Sequence, residues 1–153
     1  MKILQKAFLA LTAGFATFLA ATTAHAQNFR AFEATAHQLT LTSPGVFEGS
    51  GTVNIMGPVA VTIHVVQDFS GYPCDPYTAE TTFVGDNGSI TISDTCGWVC
   101  PSATRSGFPF TIQGVWNITG GTGQFSGIIG SGADQGTITG NGPNVRWSGI
   151  VVY

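Results

Sequence analysis

Glu33 and His37 are an acid and an imidazole whose spacing puts both on one face of an extended strand, together with Phe29, Leu39 and Leu41. Four positions at about 3.3 Å each set them roughly 13 Å apart, so they can flank a ligand but cannot bond one another. If that face lines an apolar cavity, burial raises the glutamate pKa and suits it to general acid or base work. If the strand lies at an edge, the same face meets solvent and carries no chemistry. They are the catalytic candidates. His64 sits opposite the Val59, Val61, Ile63, Val65 face and reads as a solvated or subunit-contact histidine. Trp116, Trp147 and Phe110 fall on apolar strand faces, where they either pack the core or form the wall of a ligand pocket; Trp98, expected in a Gly/Cys/Pro loop beside Tyr72 and Tyr77, is a candidate ligand contact at a cavity mouth.

Other chemistries lack their residues. Only two histidines follow the first 26 residues, with no short His/Cys/carboxylate cluster, so neither a metal site nor any other cofactor is implied. Cys96 and Cys100 are separated by three residues, not the two of redox motifs. Ser126 lacks the strand-turn-helix setting of a nucleophilic serine, and the Gly120-Gly121-Thr122-Gly123 turn is followed by no lysine or helix start that would hold phosphate.

The chain opens with Lys2 and Lys6, an apolar run from Ala7 to Ala21, and Ala24-His25-Ala26. A positive start, a short apolar stretch and a small-x-small site predict a cleavable secretory signal over 1–26 and a secreted or periplasmic domain over 27–153. The run is shorter than the roughly 20 apolar residues of a membrane-spanning helix. The whole chain has net charge −3, and losing the two leader lysines leaves the domain at −5, with Arg30, Arg105 and Arg146 its only basic side chains. Nucleic acid and anionic membranes are poor partners for such a surface, and lysine Schiff-base chemistry is excluded.

Period-two alternation dominates and no helical stripe competes with it. One face holds Val59, Val61, Ile63 and Val65; another holds Phe108, Phe110, Ile112, Gly114, Trp116 and Ile118; a third holds Val145, Trp147, Gly149, Val151 and Tyr153. Less regular strands fit about 28–42, 46–56, 78–85, 89–95, 124–131 and 134–140, separated by turns at Ser43-Pro44-Gly45, Gly57-Pro58, Asp86-Asn87-Gly88, Gly120–Gly123 and Asn141-Gly142-Pro143. Eight or nine short strands joined by hairpins predict a meandering antiparallel sheet closed into a barrel, with a sandwich as the alternative. With Asn87-Gly88 as a two-residue loop, Asp86 faces Ser89 and Phe83 faces Ile92; a three-residue loop shifts the pairing by one. Extended outward, these registers bring Cys74 opposite Pro101 or Cys100. A Cys74–Cys100 disulfide with Cys96 unpaired is expected, and Cys96–Cys100 is the competitor.

The stretch Trp116-Asn117-Ile118-Thr119-Gly120-Gly121-Thr122-Gly123-Gln124-Phe125-Ser126-Gly127, running on to Gly130-Ser131-Gly132, resembles the late hairpin of dirigent proteins and allene oxide cyclases, above all small secreted bacterial proteins with an allene-oxide-cyclase-like barrel. Phe47-Glu48-Gly49-Ser50-Gly51-Thr52 and Trp147-Ser148-Gly149 extend the likeness. It implies an eight-stranded antiparallel up-and-down barrel with a central apolar cavity, often a homotrimer, whose plant relatives guide cyclisation or radical coupling of small hydrophobic molecules. The matched stretch is a turn and carries no catalytic residue of the family onto this chain.

The leading expectation is a barrel binding a small hydrophobic molecule in its lumen, acting if enzymatic as an isomerase-like, cyclase-like or stereo-directing helper without strong acid–base chemistry. The alternatives are a non-enzymatic extracellular or surface module and a small outer-membrane barrel.

Overall fold

The computed structural model describes residues 28–67, 73–101 and 109–153; the expected leader lies outside them. Nine strands make one antiparallel sheet: β1 (Phe29–Ala36), β2 (Thr40–Ser43), β3 (Val46–Val53), β4 (Gly57–Gln67), β5 (Asp75–Gly85), β6 (Gly88–Pro101), β7 (Phe110–Gly121), β8 (Ile129–Thr139) and β9 (Gly142–Val152). From β2 onward each strand pairs with the next; β9 then pairs with β1, and β1 with β3. The result is a closed eight-stranded barrel, all β as expected.

Nine strands give eight staves because β1 and β2 share one. Ala34–Ala36 pair with the last residues of β3, and Thr40–Ser43 with its first. Between them Gln38 takes φ 52°, the one described non-glycine residue at positive φ. This kink breaks the single strand expected over 28–42 and shifts its alternation: Phe32, Ala34 and Ala36 point inward before it and Leu39 after it, while Phe29 and Leu41 are exposed.

The alternation of β4, β7 and β9 places Val59, Val61 and Ile63, then Trp116, then Val145, Trp147 and Val151 in the interior. The segments expected at 124–131 and 134–140 are instead a 3-10 turn (Gly123–Phe125) followed by the single strand β8. That turn inserts Phe125, with Ile128 behind it, into the core. The β5–β6 turn docks on it: Ser89 N–H donates to Thr122 Oγ1 at 3.0 Å, Thr122 N–H to the Ser89 carbonyl at 2.9 Å, and Gln124 N–H to the Asn87 carbonyl at 3.0 Å. Gly88, at φ 139°, lies so close to the Thr122 carbonyl that no side chain fits. The glycine-rich motif is therefore a plug for one end of the barrel.

The β5–β6 hairpin corrects one register. Gly85 faces Gly88, so the loop is Asp86-Asn87, and Phe83 faces Ile90 rather than Ile92. A bulge follows: Ala79 faces Asp94 but Tyr77 faces Gly97, which inserts one residue on β6. Beyond it Asp75 faces Val99, and the next pair is Cys74 and Cys100, whose Cα atoms are 4.3 Å apart and whose sulfurs are bonded. The expected disulfide forms because the bulge makes up the residue that the shorter turn removed. Cys96 is free and exposed.

Candidate functional site

The lumen has two unlike parts. Phe32, Phe83, Trp116 and Trp147 fill one with rings in tilted and edge-to-face contact, at centroid distances of 5.1 Å for Phe32–Trp116, 6.1 Å for Phe32–Phe83 and 5.2 Å for Phe83–Trp147. The other holds three ionisable side chains, Tyr77 on β5, Asp94 on β6 and Asp134 on β8, all buried.

Strand register positions this cluster. Asp94 lies between Ala79 and Trp116 on neighbouring strands, and Asp134 between Gly114 and Trp147. Tyr77 lies with its ring over the backbone of Gly97, where no side chain could stand, and its hydroxyl donates to Asp134 Oδ2 at 2.7 Å. A Cβ on Gly114 would lie 2.5 Å from Asp134 Oδ1 and 3.0 Å from the Tyr77 hydroxyl, so the missing side chain gives the pair its room.

Asp94 and Asp134 are close enough for each to act on the other's titration. Burial, then the neighbouring Asp134 charge, pushes the Asp94 carboxyl up to about 8. Burial also raises Asp134, opposed by the bonds it accepts from Tyr77 and Asp94. Tyr77 is raised far above the ordinary phenol range, by burial first and by Asp134 second. Among the described residues no cation reaches the lumen: Arg30 lies over the Tyr153 ring and Arg146 pairs with Glu33, both outside. Burial and the neighbouring Asp134 therefore favour Asp94 keeping its proton at neutral pH. Asp94 Oδ1, Asp134 Oδ1, Thr81 Oγ1, Trp116 Nε1 and Trp147 Nε1 are buried without a hydrogen-bond partner.

A cleft of about 80 Å³ adjoins the cluster, walled by Phe47, Ile63, Val65, Val99, Ile138 and Trp147, with Tyr77, Thr81, Asp94 and Asp134 at its polar side. It suits a few heavy atoms, against the roughly 300–1,000 Å³ of pockets that enclose drug-sized ligands. The carboxyl oxygens facing such a space can accept from a group that donates, the Trp147 indole N–H can donate to one that accepts, and Asp94 is an acid that tends to keep its proton.

Trp116 and Trp147 are buried in the lumen, and Phe110 is half-buried against the same core. Glu33 and His37 are not in it. The stave runs Phe32, Ala34, Ala36 inward, so Glu33 points outward to an ion pair with Arg146 at 3.3 Å, with the two side chains 56 % and 52 % exposed, and His37 is exposed at the strand end. Trp98 is 43 % exposed on the outer surface. The acid pair was missed although Asp94 keeps step with Ile90 and Ile92, a period-two signal that marks it as interior.

Fold and site together define a closed antiparallel barrel with two buried carboxyls and a phenol inside. Compared with family models, with curated proteins and with solved structures, the chain matches none. Among the described residues no helix is long and apolar enough to cross a membrane, and no three His, Cys, Asp or Glu side chains gather to hold a metal. The disulfide is compatible with an extracellular or periplasmic location.

Proposed function

We propose that the domain is exported and binds a small, mostly apolar molecule through its polar head, which enters the lumen cleft and meets Tyr77, Asp94 and Asp134. The observation that carries this reading is the set of unpartnered buried atoms around the cleft, two of them carboxyl oxygens. A barrel kept only for its shape gains nothing from two acids in an apolar interior, since each such group costs stability unless something pairs with it. The head group fitting two carboxyl oxygens, a threonine hydroxyl and the Trp147 indole N–H both donates and accepts, as an alcohol or phenol does, and an anion beside the acids does not fit. The cleft holds the head while the apolar remainder lies towards the mouth, so one conformation is selected. Asp94 can lend a proton and Asp134 receive one, which suits an isomerisation with no net proton change. The likeness to the allene oxide cyclase and dirigent barrels supports guidance of a cyclisation or coupling, and the acid pair adds a proton donor and acceptor that the likeness does not supply.

The filled aromatic half and the small cleft favour a second reading, a non-enzymatic module. The outer surface carries Glu33, Glu48, His64, Glu80 and Arg146 within or at the ends of its strands, which supports an aqueous rather than a lipid setting. Titration of the exported protein with decanol and with decanoate, followed by native mass spectrometry, separates the readings. Decanol should bind, decanoate should bind at least about tenfold more weakly, and Asp134→Asn should narrow the gap. Equal binding of both, or of neither, overturns the lumen site.

A further inference from the structure

On the outside of the same strands a second site is laid out by register alone. Trp98 faces Gln113, Gln113 faces Gln135, Gln135 faces Arg146, and Arg146 faces Thr35, so five strands contribute one side chain each to a single straight row. At roughly 4.8 Å between strands the row is about 19 Å long. It is the floor of an open groove of about 890 Å³. Thr111, Thr137, Asn144 and His37 border the row on one side, and Val115 and Ala133 on the other.

We infer that this groove binds a neutral oligosaccharide. Trp98 presents a broad apolar surface at one end of the row, the kind of face on which the C–H side of a sugar ring packs. Next to it the Gln113 and Gln135 amides have no hydrogen-bond partner among the described residues. An amide offers a donor and an acceptor side by side, and a sugar hydroxyl is also both, so a row of amides and threonine hydroxyls matches a row of hydroxyls with neither side left unpaired. The charge of Arg146 is already met by Glu33, leaving the floor near neutral. A polyanion finds no net attraction there. An extended peptide is disfavoured for a different reason: each of these strands has a paired neighbour on both sides, interrupted only at the β6 bulge, so there is no open sheet edge for a peptide strand to join. The row is distinct from the lumen, since its side chains point the opposite way from the same strands, although Ile112, Asp134 and Val145 border both spaces.

The test is titration of the exported protein with cellohexaose, maltohexaose and chitohexaose, read by calorimetry and by indole fluorescence. At least one should bind. Trp98→Ala should weaken that binding by more than about tenfold and Gln135→Ala by a smaller factor. Both positions are exposed, so unchanged melting curves will show that the fold is kept. Saturating decanol should leave the affinity as it was, which separates this site from the lumen. If no oligosaccharide in the set binds at about 1 mM, the inference fails. It also fails if both variants bind as tightly as the parent.

Discussion

Towards the end closed by Phe125, the lumen is filled by two phenylalanines and two tryptophans that are almost wholly withdrawn from water. Towards Tyr77, the same staves carry two carboxyls, a phenol and a threonine hydroxyl around a cleft of about 80 Å³. Both regions have equal access to Val, Ile and Phe, so the difference is one of side-chain choice and not of geometry. Packing accounts for the first region by itself. The second breaks the rule that buried polar atoms are paired, and such breaks concentrate where a protein binds or reacts.

The contrast breaks most severely at its aromatic side. Trp116 rests on Gly132 and Gly149, whose missing Cβ atoms would lie 2.5 and 2.7 Å from its ring. Trp116→Ala leaves a large void with backbone on its floor, and urea unfolding should show a loss of about 3–5 kcal/mol. The polar side should respond to pH instead. Asp94 holds its proton in the folded barrel up to about pH 8, whereas an ordinary aspartate releases it near pH 4. Between those limits the folded state binds more protons than the unfolded chain, so stability is full at the acid end and falls as pH rises through this window, by at most about 1.4 kcal/mol per unit. Urea midpoints from about pH 5 to about pH 9 should decline, and Asp94→Asn, which keeps the donor and loses the charge, should flatten them. A smaller effect sharpens the comparison within the site. Gly114→Ala puts a methyl against Asp134 Oδ1 and should cost about 1–3 kcal/mol while loosening the bond from Tyr77, visible as a shifted hydroxyl proton resonance.

Strict alternation made the inner faces of β4, β7 and β9 legible, and with them Trp116 and Trp147, because Val, Ile, Phe and Trp there alternate with small or polar residues. The same rule failed on the first stave. Phe29, Leu39 and Leu41 gave Glu33 and His37 an apolar company that exists only if the strand runs straight, and the positive φ at Gln38 leaves no mark in the residue pattern. Asp134 was hidden because Gly130, Gly132 and Gly136 share its face and carry no hydropathy to count. Asp94 was visible in principle, one step beyond Ile90 and Ile92, but a lone acid among serines and threonines looks solvated until the strand is seen to continue. The Cys74–Cys100 pairing emerged from a register that was wrong near the turn and right at the far end, the bulge supplying the correction.

That bulge decides which compartment each later residue of β6 inhabits. Up to Asp94 the even-numbered side chains look into the lumen; past it Gly97 and Val99 do, and the indole at 98 looks out. Were β6 to run straight past Asp94 with every residue kept, the two populations would trade places, sending the indole into the dry interior beside the acids and parting the bonded thiols by a step. Excising one residue at Thr95 would instead remove the bulge and leave both surfaces as they are. A single supernumerary amino acid thus acts as the railway point that routes one strand to two surfaces.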